Sequence, residues 1–319
     1  LGSKVDYLIT DKYIDLLLKS LKLDKFNKSI KVAWDPGNGA AGDIISKIVN
    51  LLPGEHTLVN ENIDGIFPSH HPDPTEPKNL EQLINLVIDK KLDIGLAFDG
   101  DGDRLGVVSS SGNIVWGDQL LAFLSKEVLK DMPNSPIIAD VKASQNLFQE
   151  IKKLGGVPVM WKTGHSFIKS KMKEISSPLA GEMSGHIFFA DRYLGYDDGI
   201  YAALRVLELI HNKFTLDNFL NSLPKTYSTP EIKIECSDDK KFKVIEELSS
   251  ILNNEKIKVN KIDGLRVEKE DGWWLLRASN TQPAIVLRCE SLTQEGLEFQ
   301  KQSVGDELSE FNIDIDEKI

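Results

Sequence analysis

One unit recurs along the first two thirds of the chain: a short apolar run, a polar loop that contains glycine, and a segment with helical spacing. The apolar runs lie at 30–34, 94–98, 137–139 and 157–161. Short runs of this kind are typical of strands that are buried on both faces by intervening helices, as in mostly parallel α/β layers. Ligand sites in such layers lie at the carboxyl ends of the strands. We therefore expect the functional residues in the loops that follow these runs.

The same alternation predicts individual helices. Leu80, Leu83 and Val87 recur at helical spacing within residues 80–91, which predicts an amphipathic helix there. Asn79 directly precedes this segment and is a residue type that favours the N-cap position. The sequence therefore predicts a helix with Asn79 as its cap.

The pattern changes after Pro224. Residues 232–236 alternate between apolar and polar side chains, as in a half-exposed strand, and an amphipathic helix follows. Three strand-like pieces come next, at 257–262, 265–276 and 284–290. This texture is typical of an α+β domain with a largely antiparallel sheet.

The fold class is thus α/β, with a smaller α+β domain at the end. We expect two α/β domains with mixed or parallel sheets, at 8–111 and 112–226, followed by the α+β domain at 227–319.

Composition excludes several classes of protein. The chain has 38 Lys and Arg against 49 Asp and Glu, a formal net charge of −11, which argues against a nucleic-acid partner. Cys236 and Cys289 are the two cysteines, too few for a disulfide framework, and we expect them to be buried thiols. No stretch reaches the roughly 20 apolar residues that a membrane helix needs. The sequence predicts a cytoplasmic protein without a membrane partner.

The segment Asp99–Arg104, which we call the metal loop, is the sharpest motif. Its carboxylates at Asp99, Asp101 and Asp103 are separated by Gly100 and Gly102. Three acids at this spacing repel one another unless a cation lies between them, and the glycines allow the backbone to fold so that the oxygens converge. Hard oxygen ligands of this type suit Mg²⁺. Because the loop follows a buried strand, a magnesium site is favoured.

Other interpretations of the metal loop fit less well. An EF-hand requires Gly at the sixth position and Glu at the twelfth, which are Arg104 and Ser110 here. An aspartyl nucleophile of the haloacid-dehalogenase type would need Thr or Val where Asp103 stands. An acidic surface turn is the remaining alternative.

Two further loops have the groups that bind phosphate. Asp35–Gly42 follows a strand, but it lacks the Lys-Ser/Thr pair of a P-loop and is better explained as a tight strand-to-helix turn. The segment Arg277–Pro283, the Arg277 loop, has a guanidinium, hydroxyls, an amide and backbone N–H groups that match a phosphate dianion. An ordinary polar turn explains it equally well.

Two polar loops have the donors and acceptors that sugar hydroxyls require. Glu182, Ser184 and His186 alternate within Gly181–His186, the Glu182 loop. His165 ends Lys162–His165 and is a candidate acid, base or phosphate contact. Taken alone, each is also compatible with an ordinary polar loop.

Taken together, the motifs resemble those of a known family. The order of Asp35–Gly39, Asp99–Arg104, Lys162–Ser166, Gly181–His186 and Arg277–Pro283 resembles the α-D-phosphohexomutases. Within this family the chain most resembles the bacterial phosphomannomutase/phosphoglucomutase group, and the likeness covers residues 8–290.

The resemblance implies a reaction and its cofactors. A phosphoserine would give its phosphate to a mannose or glucose monophosphate, and the bisphosphate sugar would then reorient and return its other phosphate. The net result is exchange between hexose 1-phosphate and hexose 6-phosphate, with glucose 1,6-bisphosphate as activator. The resemblance also implies Mg²⁺ on Asp99, Asp101 and Asp103, with Arg104 beside it.

The resemblance assigns further residues to substrate. It implies sugar recognition by Glu182 and Ser184. It implies phosphate binding by four residues of the Arg277 loop: Arg277, Ser279, Asn280 and Thr281.

Three more residues match positions in the active cleft of the family. Lys142 and His165 line that cleft, and His186 is a further acid/base candidate. The chain departs from the family at Gln145, where the family usually has Arg.

The serine of the family lies in the first of four domains, within a Thr-Ala-Ser-His-Asn-Pro-like loop that these 319 residues do not contain. The nearest string, Phe67–Pro72, matches instead a segment that the family has ahead of its metal loop, so Ser69 is a poor candidate nucleophile. The chain also begins Leu1-Gly2-Ser3, without Met. We expect it to hold the second, third and fourth domains, with an N-terminal domain missing in cis.

Three functions remain open on the sequence. The first is a mutase whose 319 residues are inactive without their serine domain. The second is a non-catalytic phosphosugar-binding or regulatory protein. The third is a metal phosphatase that uses water as the nucleophile.

Overall fold

The computed structural model describes residues 2–22, 29–210, 215–279, 282–313 and 315. It divides into two compact units. The N-terminal unit comprises Leu1–Met160 and Gly164–Ser222, and the C-terminal unit comprises Trp161–Thr163 and Leu223–Ile319. Within the described ranges, no helix is long and apolar enough to cross a bilayer.

The first sheet of the N-terminal unit is mixed. Its strands are β1 Lys31–Asp35, β2 Glu55–Leu58, β3 Ile94–Phe98, β4 Leu105–Ser109 and β5 Ile114–Val115. They lie in the order β2-β1-β3-β4-β5, with β1 parallel to β2 and β3, and with β4 antiparallel to β3 and β5. The helices of this region are α1 Thr10–Lys19, α2 Gly42–Ile48 and α3 Glu81–Asp89.

Buried apolar side chains hold the two strands that flank the metal loop. Every residue of β3 and β4 is buried. Leu83 and Val87 of α3 pack in one core with Ala97 and Val108 of these strands. The metal loop therefore joins two strands that the core holds rigidly on both sides.

The predicted N-cap of α3 is wrong. A 3₁₀ turn at Pro77–Leu80 precedes the helix, and Leu80 is the cap residue without a side-chain hydrogen bond. The Asn79 amide donates instead to the carbonyl oxygen of Asp73 at 2.9 Å. The proline starts the turn four residues before the α-helix, which moves Asn79 out of the cap position.

The second sheet of the N-terminal unit has the order β7-β6-β8-β9. Its strands are β6 Pro136–Asp140, β7 Val157–Trp161, β8 Leu179–Gly181 and β9 Ile187–Phe189, with β6 parallel to β8 and β8 antiparallel to β9. The helices here are α4 Gly117–Asp131, α5 Gln145–Lys153, α6 His165–Ile175, α7 Gly199–Ile210 and α8 Leu216–Ser222.

A buried ion-pair network joins α4, α7 and the loop before α7. The Arg205 side chain is 1% exposed, and its guanidinium donates to both Asp191 oxygens at 2.9 Å and to Glu127 at 3.2 Å. Arg192 donates to Glu127 and to Glu208. Charges this deeply buried require partners, so the network fixes these elements to one another.

The C-terminal unit is built on an antiparallel sheet. Its strands are β10 Tyr227–Ser228, β11 Ile232–Glu235, β12 Val259–Asn260, β13 Leu265–Glu268, β14 Gly272–Ala278 and β15 Ala284–Ser291. Their order is β10-β15-β14-β13-β12, and β11 also pairs with β15. The helices α9 Asp238–Asn254 and α10 Gln294–Ser309 supply Leu248 and Val304 to a core shared with Trp274 and Cys289.

The α/β class with a terminal antiparallel α+β unit is confirmed, with one correction of detail. The strand-like piece 265–276 is two strands, β13 and β14, paired as a hairpin. Lys269 donates its backbone N–H to the carbonyl of Gly272 at 2.8 Å and closes the turn. The polar run between them cannot continue a buried strand. Cys236 and Cys289 are buried free thiols, as expected.

Candidate functional site

The metal loop folds around the side chain of Asp99. Asp99 Oδ1 accepts the backbone N–H groups of Gly102 at 3.0 Å and Arg104 at 3.1 Å. Gly102 has φ of +81°, which a residue with a Cβ rarely adopts. The spacing glycine thus allows the turn that brings the three carboxylates together.

Asp99, Asp101 and Asp103 have carboxylate oxygens within 4.8 Å of one another. Burial raises the pKa of Asp103, His186 opposes the shift, and the charges of Asp99 and Asp101 add to it, so that the pKa lies at about 6. Octahedral Mg²⁺ binds oxygens at about 2.1 Å, so its ligands lie roughly 3–4 Å apart. The three carboxylates therefore offer the type of oxygen ligand that a hard divalent cation binds.

Arg104 is fixed by two carboxylates. Its Nε donates to Asp99 Oδ2 at 2.6 Å and its Nη1 donates to Asp73 Oδ1 at 3.0 Å. Asp73 in turn accepts from the backbone and hydroxyl of Thr75. The guanidinium is therefore held beside the metal loop in a defined orientation.

The metal loop and the Glu182 loop are joined through their backbones. Leu105 donates its N–H to the carbonyl of Gly185 at 3.0 Å, and Arg104 forms a bridge with His186. Gly199, the first residue of α7, donates to the carbonyl of Gly102 at 3.0 Å. The metal loop, the Glu182 loop and the start of α7 are thus held together within the N-terminal unit.

Glu182 holds two loops together. Its side chain is buried, and its Oε1 accepts the backbone N–H of Gly164 at 2.6 Å. Its Oε2 accepts the hydroxyl of Ser184 at 3.3 Å. A carboxylate oxygen has two lone pairs, so each oxygen can still accept a further hydroxyl.

Two histidines and an aspartate lie next to these loops. The rings of His165 and His186 stack with centroids 6.0 Å apart, and Asp197 Oδ2 lies 3.5 Å and 3.2 Å from their respective Nδ1 atoms. Lys169 donates to Asp197 Oδ1 at 2.8 Å. Burial lowers the pKa of His186, but the carboxylates of Asp197, Asp103 and Glu182 outweigh it, so the net shift is upward.

The turn at Asp35–Gly42 contacts the metal loop through a backbone hydrogen bond. It joins β1 to α2 as a strand-to-helix turn, and Ala40 donates its N–H to the carbonyl of Gly100 at 2.9 Å. The buried carboxylate of Asp35 contacts His70 Nε2 at 2.9 Å. Ser69, which precedes this histidine, is exposed.

Lys142 lies in the loop between β6 and α5. It is 6% exposed, and its Nζ lies 3.8 Å from Asp140 Oδ2. Gln145, where the family usually has Arg, is the first residue of α5.

The Arg277 loop belongs to the C-terminal unit. Arg277 Nε donates to Asp263 Oδ2 at 3.1 Å, and Ser279 Oγ accepts the N–H of Gln282 at 3.2 Å. Lys241 Nζ donates to the carbonyls of Ser279 at 2.7 Å and Gln282 at 2.9 Å, so it clamps both ends of the loop. Two of the residues predicted to bind phosphate lie outside the described residues: Asn280 and Thr281.

Comparisons with known proteins support the resemblance found in the motifs. Three models of phosphoglucomutase/phosphomannomutase match: alpha/beta/alpha domain II at residues 11–112, alpha/beta/alpha domain III at 116–227 and the C-terminal domain at 231–305. A phosphomannomutase/phosphoglucomutase of Pseudomonas syringae is 45% identical over 317 residues, 99% of this chain and 67% of that protein. The chain belongs to the phosphoglucomutase/phosphomannomutase family.

Other members agree with this assignment. A phosphoglucomutase of Neisseria meningitidis is 44% identical over 93% of this chain and 64% of its own length. A crystal structure of a family protein from Burkholderia thailandensis superposes with a TM-score of 0.89 at 40% identity, covering 96% of this chain and 65% of that one. The chain spans 67% of the Pseudomonas syringae relative and 61% of that from Pseudomonas putida.

Sequence reasoning missed several residues that contact the predicted site residues. Asp73, Lys169 and Asp197 contact the predicted residues from distant positions, and no spacing rule connects them to the motifs. Asp73 follows the Phe67–Pro72 string, which gave the one available hint. Lys241 had no signal at all, because it is one of several lysines near the start of α9.

Proposed function

We propose that the chain is the metal- and substrate-binding part of a phosphohexomutase that interconverts hexose 1-phosphate and hexose 6-phosphate, with mannose or glucose as the sugar. The proposal rests on the backbone hydrogen bond between Leu105 and Gly185, which joins the metal loop to the Glu182 loop. This bond brings a candidate cation site, a guanidinium and two imidazoles to one surface, as phosphoryl transfer to a sugar hydroxyl requires.

Asp99, Asp101 and Asp103 are the proposed Mg²⁺ ligands. When bound, the ion supplies charge stabilisation for the transferring phosphoryl group. Arg104, held by Asp99 and Asp73, contributes a fixed positive charge to the same group.

The two imidazoles are the proposed acid/base groups. His186 lies between Asp103 and Asp197, whose charges favour its protonated form, so it can hold a proton for the sugar oxygen. His165, with a side chain 55% exposed, is placed at the N-terminus of α6 and can exchange a proton with solvent. Lys142 is assigned to the same cleft on the resemblance.

Sugar hydroxyls are assigned to Glu182 and Ser184, whose oxygens already lie in one hydrogen-bonded pair. Phosphate binding is assigned to four residues: Arg277, Ser279, Asn280 and Thr281. Asp263 orients the Arg277 guanidinium through Nε, which supports a bidentate phosphate contact by the outer nitrogens.

The proposal needs a residue that carries the phosphoryl group between its two steps. We assign this to a serine on an N-terminal domain in cis, outside the printed sequence, with glucose 1,6-bisphosphate as the activator that phosphorylates it. The cytoplasmic location inferred from the sequence stays a prediction.

Binding measurements on the 319-residue chain test the assignment of substrate. Calorimetric titration with glucose 6-phosphate, mannose 6-phosphate and inorganic phosphate, each with Mg²⁺, compares wild type with three variants. Arg277→Ala should weaken hexose phosphate binding by about 10–100-fold, since a charged hydrogen bond contributes about 1.5–3 kcal/mol. Glu182→Gln should weaken hexose phosphates and leave inorganic phosphate unchanged. Lys233→Ala, exposed on β11, is the matched control for lost charge.

The same titration decides against the proposal if Arg277→Ala and Lys233→Ala bind glucose 6-phosphate equally well. A coupled assay with glucose 1-phosphate, Mg²⁺ and glucose 1,6-bisphosphate separates the remaining functions. We expect background turnover from these 319 residues and no release of inorganic phosphate. Steady phosphate release would indicate a metal phosphatase instead.

A further inference from the structure

A second group of metal-binding side chains lies beside the metal loop: Asp103, His186 and Asp197. Their ligand atoms all lie within 4.8 Å of one another. His186 Nδ1 is 3.5 Å from Asp103 Oδ1 and 3.2 Å from Asp197 Oδ2. Asp103 belongs to both groups, whereas Asp101 belongs to the metal loop alone.

The spacing matches tetrahedral coordination. Zn²⁺ binds imidazole nitrogen and carboxylate oxygen at about 2.0–2.2 Å, which places neighbouring ligands of a tetrahedron about 3.3–3.6 Å apart. The two measured separations, 3.2 Å and 3.5 Å, lie close to this range. An imidazole among the ligands favours Zn²⁺ over Mg²⁺, which prefers oxygen.

Two atoms of the group also lack other partners. His186 Nδ1 and Asp197 Oδ2 are sealed from solvent and form an ion pair with each other at 3.2 Å, but neither has a well-aligned hydrogen bond to a residue that the structure describes. The Asp197 side chain is 6% exposed, and Lys169 occupies its other oxygen, Oδ1. Buried polar atoms that lack well-aligned hydrogen bonds are costly, and a cation bound to both atoms would satisfy them.

An entry route for an ion is present. A cavity of about 220 Å³ is lined by residues that include Asp101, Asp103, Asp197 and Tyr196. Asp103 and Asp197 both line this cavity, so a cation in it would lie next to two members of the group. The negative charges along its wall raise the local cation concentration.

We propose that Asp103, His186 and Asp197 form a second divalent-cation site, selective for ions of the zinc class and distinct from the magnesium site of the metal loop. Because Asp103 is shared, Zn²⁺ and Mg²⁺ oppose each other's binding. Zinc on Nδ1 would also remove that nitrogen from proton transfer, a consequence that rests on the proposed function and makes the site inhibitory.

Zinc titration of the 319-residue chain tests the proposal without any turnover. A chromogenic chelator in competition at fixed pH measures the affinity for Zn²⁺ alone. We expect one tight zinc site. Its affinity should fall about tenfold or more in His186→Gln and in Asp197→Asn, since each variant loses one of the three protein ligands. Asp101→Asn should weaken Mg²⁺ binding much more than zinc binding, because Asp101 belongs to the metal loop alone. Circular dichroism confirms that each variant is folded.

Three results would overturn the site. If the wild-type chain does not bind zinc tightly, then Asp103, His186 and Asp197 form only an ion-pair group. Loss of zinc in Asp101→Asn with retention in both His186→Gln and Asp197→Asn places the ion in the metal loop. X-ray absorption of the zinc-loaded chain provides a second measurement, because a spectrum without imidazole scattering contradicts His186 as a ligand even if the variants fail to fold.

Discussion

Leu105 and Gly185 are joined by a 3.0 Å hydrogen bond from the N–H of the first to the carbonyl of the second. The bond links the first residue after the metal loop to the loop that contains Glu182 and His186. Gly185 has φ of +95°, and a Cβ built on it would lie 2.7 Å from the Leu105 oxygen. The relative placement of the two loops therefore depends on a residue without a side chain.

Gly185→Ala should destabilise the chain for two separable reasons. The left-handed backbone costs about 1–2 kcal/mol for an L-residue, and the contact with Leu105 adds to it. Gly155→Ala is the matched control, because Gly155 also has positive φ, +81°, but a Cβ there would meet nothing within 4 Å. Urea unfolding should show a larger loss for Gly185→Ala than for Gly155→Ala. Equal losses would mean that the close approach has no energetic consequence.

Asp101→Asn should weaken Mg²⁺ binding by about tenfold or more, a loss of roughly 1.4 kcal/mol or above, because a neutral amide replaces a charged ligand. Isothermal calorimetry with MgCl₂ measures the change. Asp43→Asn is the control, since Asp43 is an exposed acid at the start of α2. Affinity that falls equally in both variants would reflect general charge and not a site.

Arg205→Ala should cost about 3–5 kcal/mol of stability, because it leaves the buried carboxylates of Asp191 and Glu127 without their partner. Lys130→Ala, exposed near the end of α4, should change stability little. Urea unfolding of both variants at pH 7 measures the difference. A loss below 1 kcal/mol for Arg205→Ala would show that the network is not a stabilising element.

His70 should contribute a stability that depends on pH. Its Nε2 lies 2.9 Å from Asp35 Oδ2 and its Nδ1 lies 3.0 Å from the carbonyl of His71, two acceptors that only an imidazolium satisfies together. The hydrogen bond to Asp35 raises the pKa of His70, and burial opposes the shift. Because the pKa is raised on folding, the added stability is complete below the unfolded pKa near 6.5 and disappears as pH rises through the folded pKa.

Unfolding measured between pH 5 and pH 9 checks this sign. The difference in unfolding free energy between wild type and His70→Gln should be largest at the acidic end and shrink at the basic end. His71→Gln, an exposed neighbour, should show no such trend. A difference that grows with pH would contradict the assignment of an imidazolium to His70.

Sequence alone determined the parts of this protein whose signal is local. The strands before the metal loop and the Asp35 turn were predictable, because burial on both faces leaves a continuous apolar run and glycine marks the turn that follows. The convergence of the three metal-loop carboxylates was predictable, because the glycines between them allow the backbone to turn sharply. The hairpin of β13 and β14 and the cap of α3 were not, because a short polar turn and a preceding proline each outweighed the wider pattern.

Only the tertiary structure decided which distant residues complete the site. Asp73 contacts Arg104 although the two residues are 31 positions apart in the sequence, and Asp197 contacts His186 although they are 11 positions apart. Neither pair belongs to a periodic sequence pattern. The pairing of Leu105 with Gly185 likewise depends on packing between two sheets. Local patterns specify elements through burial and backbone preference, whereas the orientation of a guanidinium or an imidazole depends on side chains that meet only after those elements have packed.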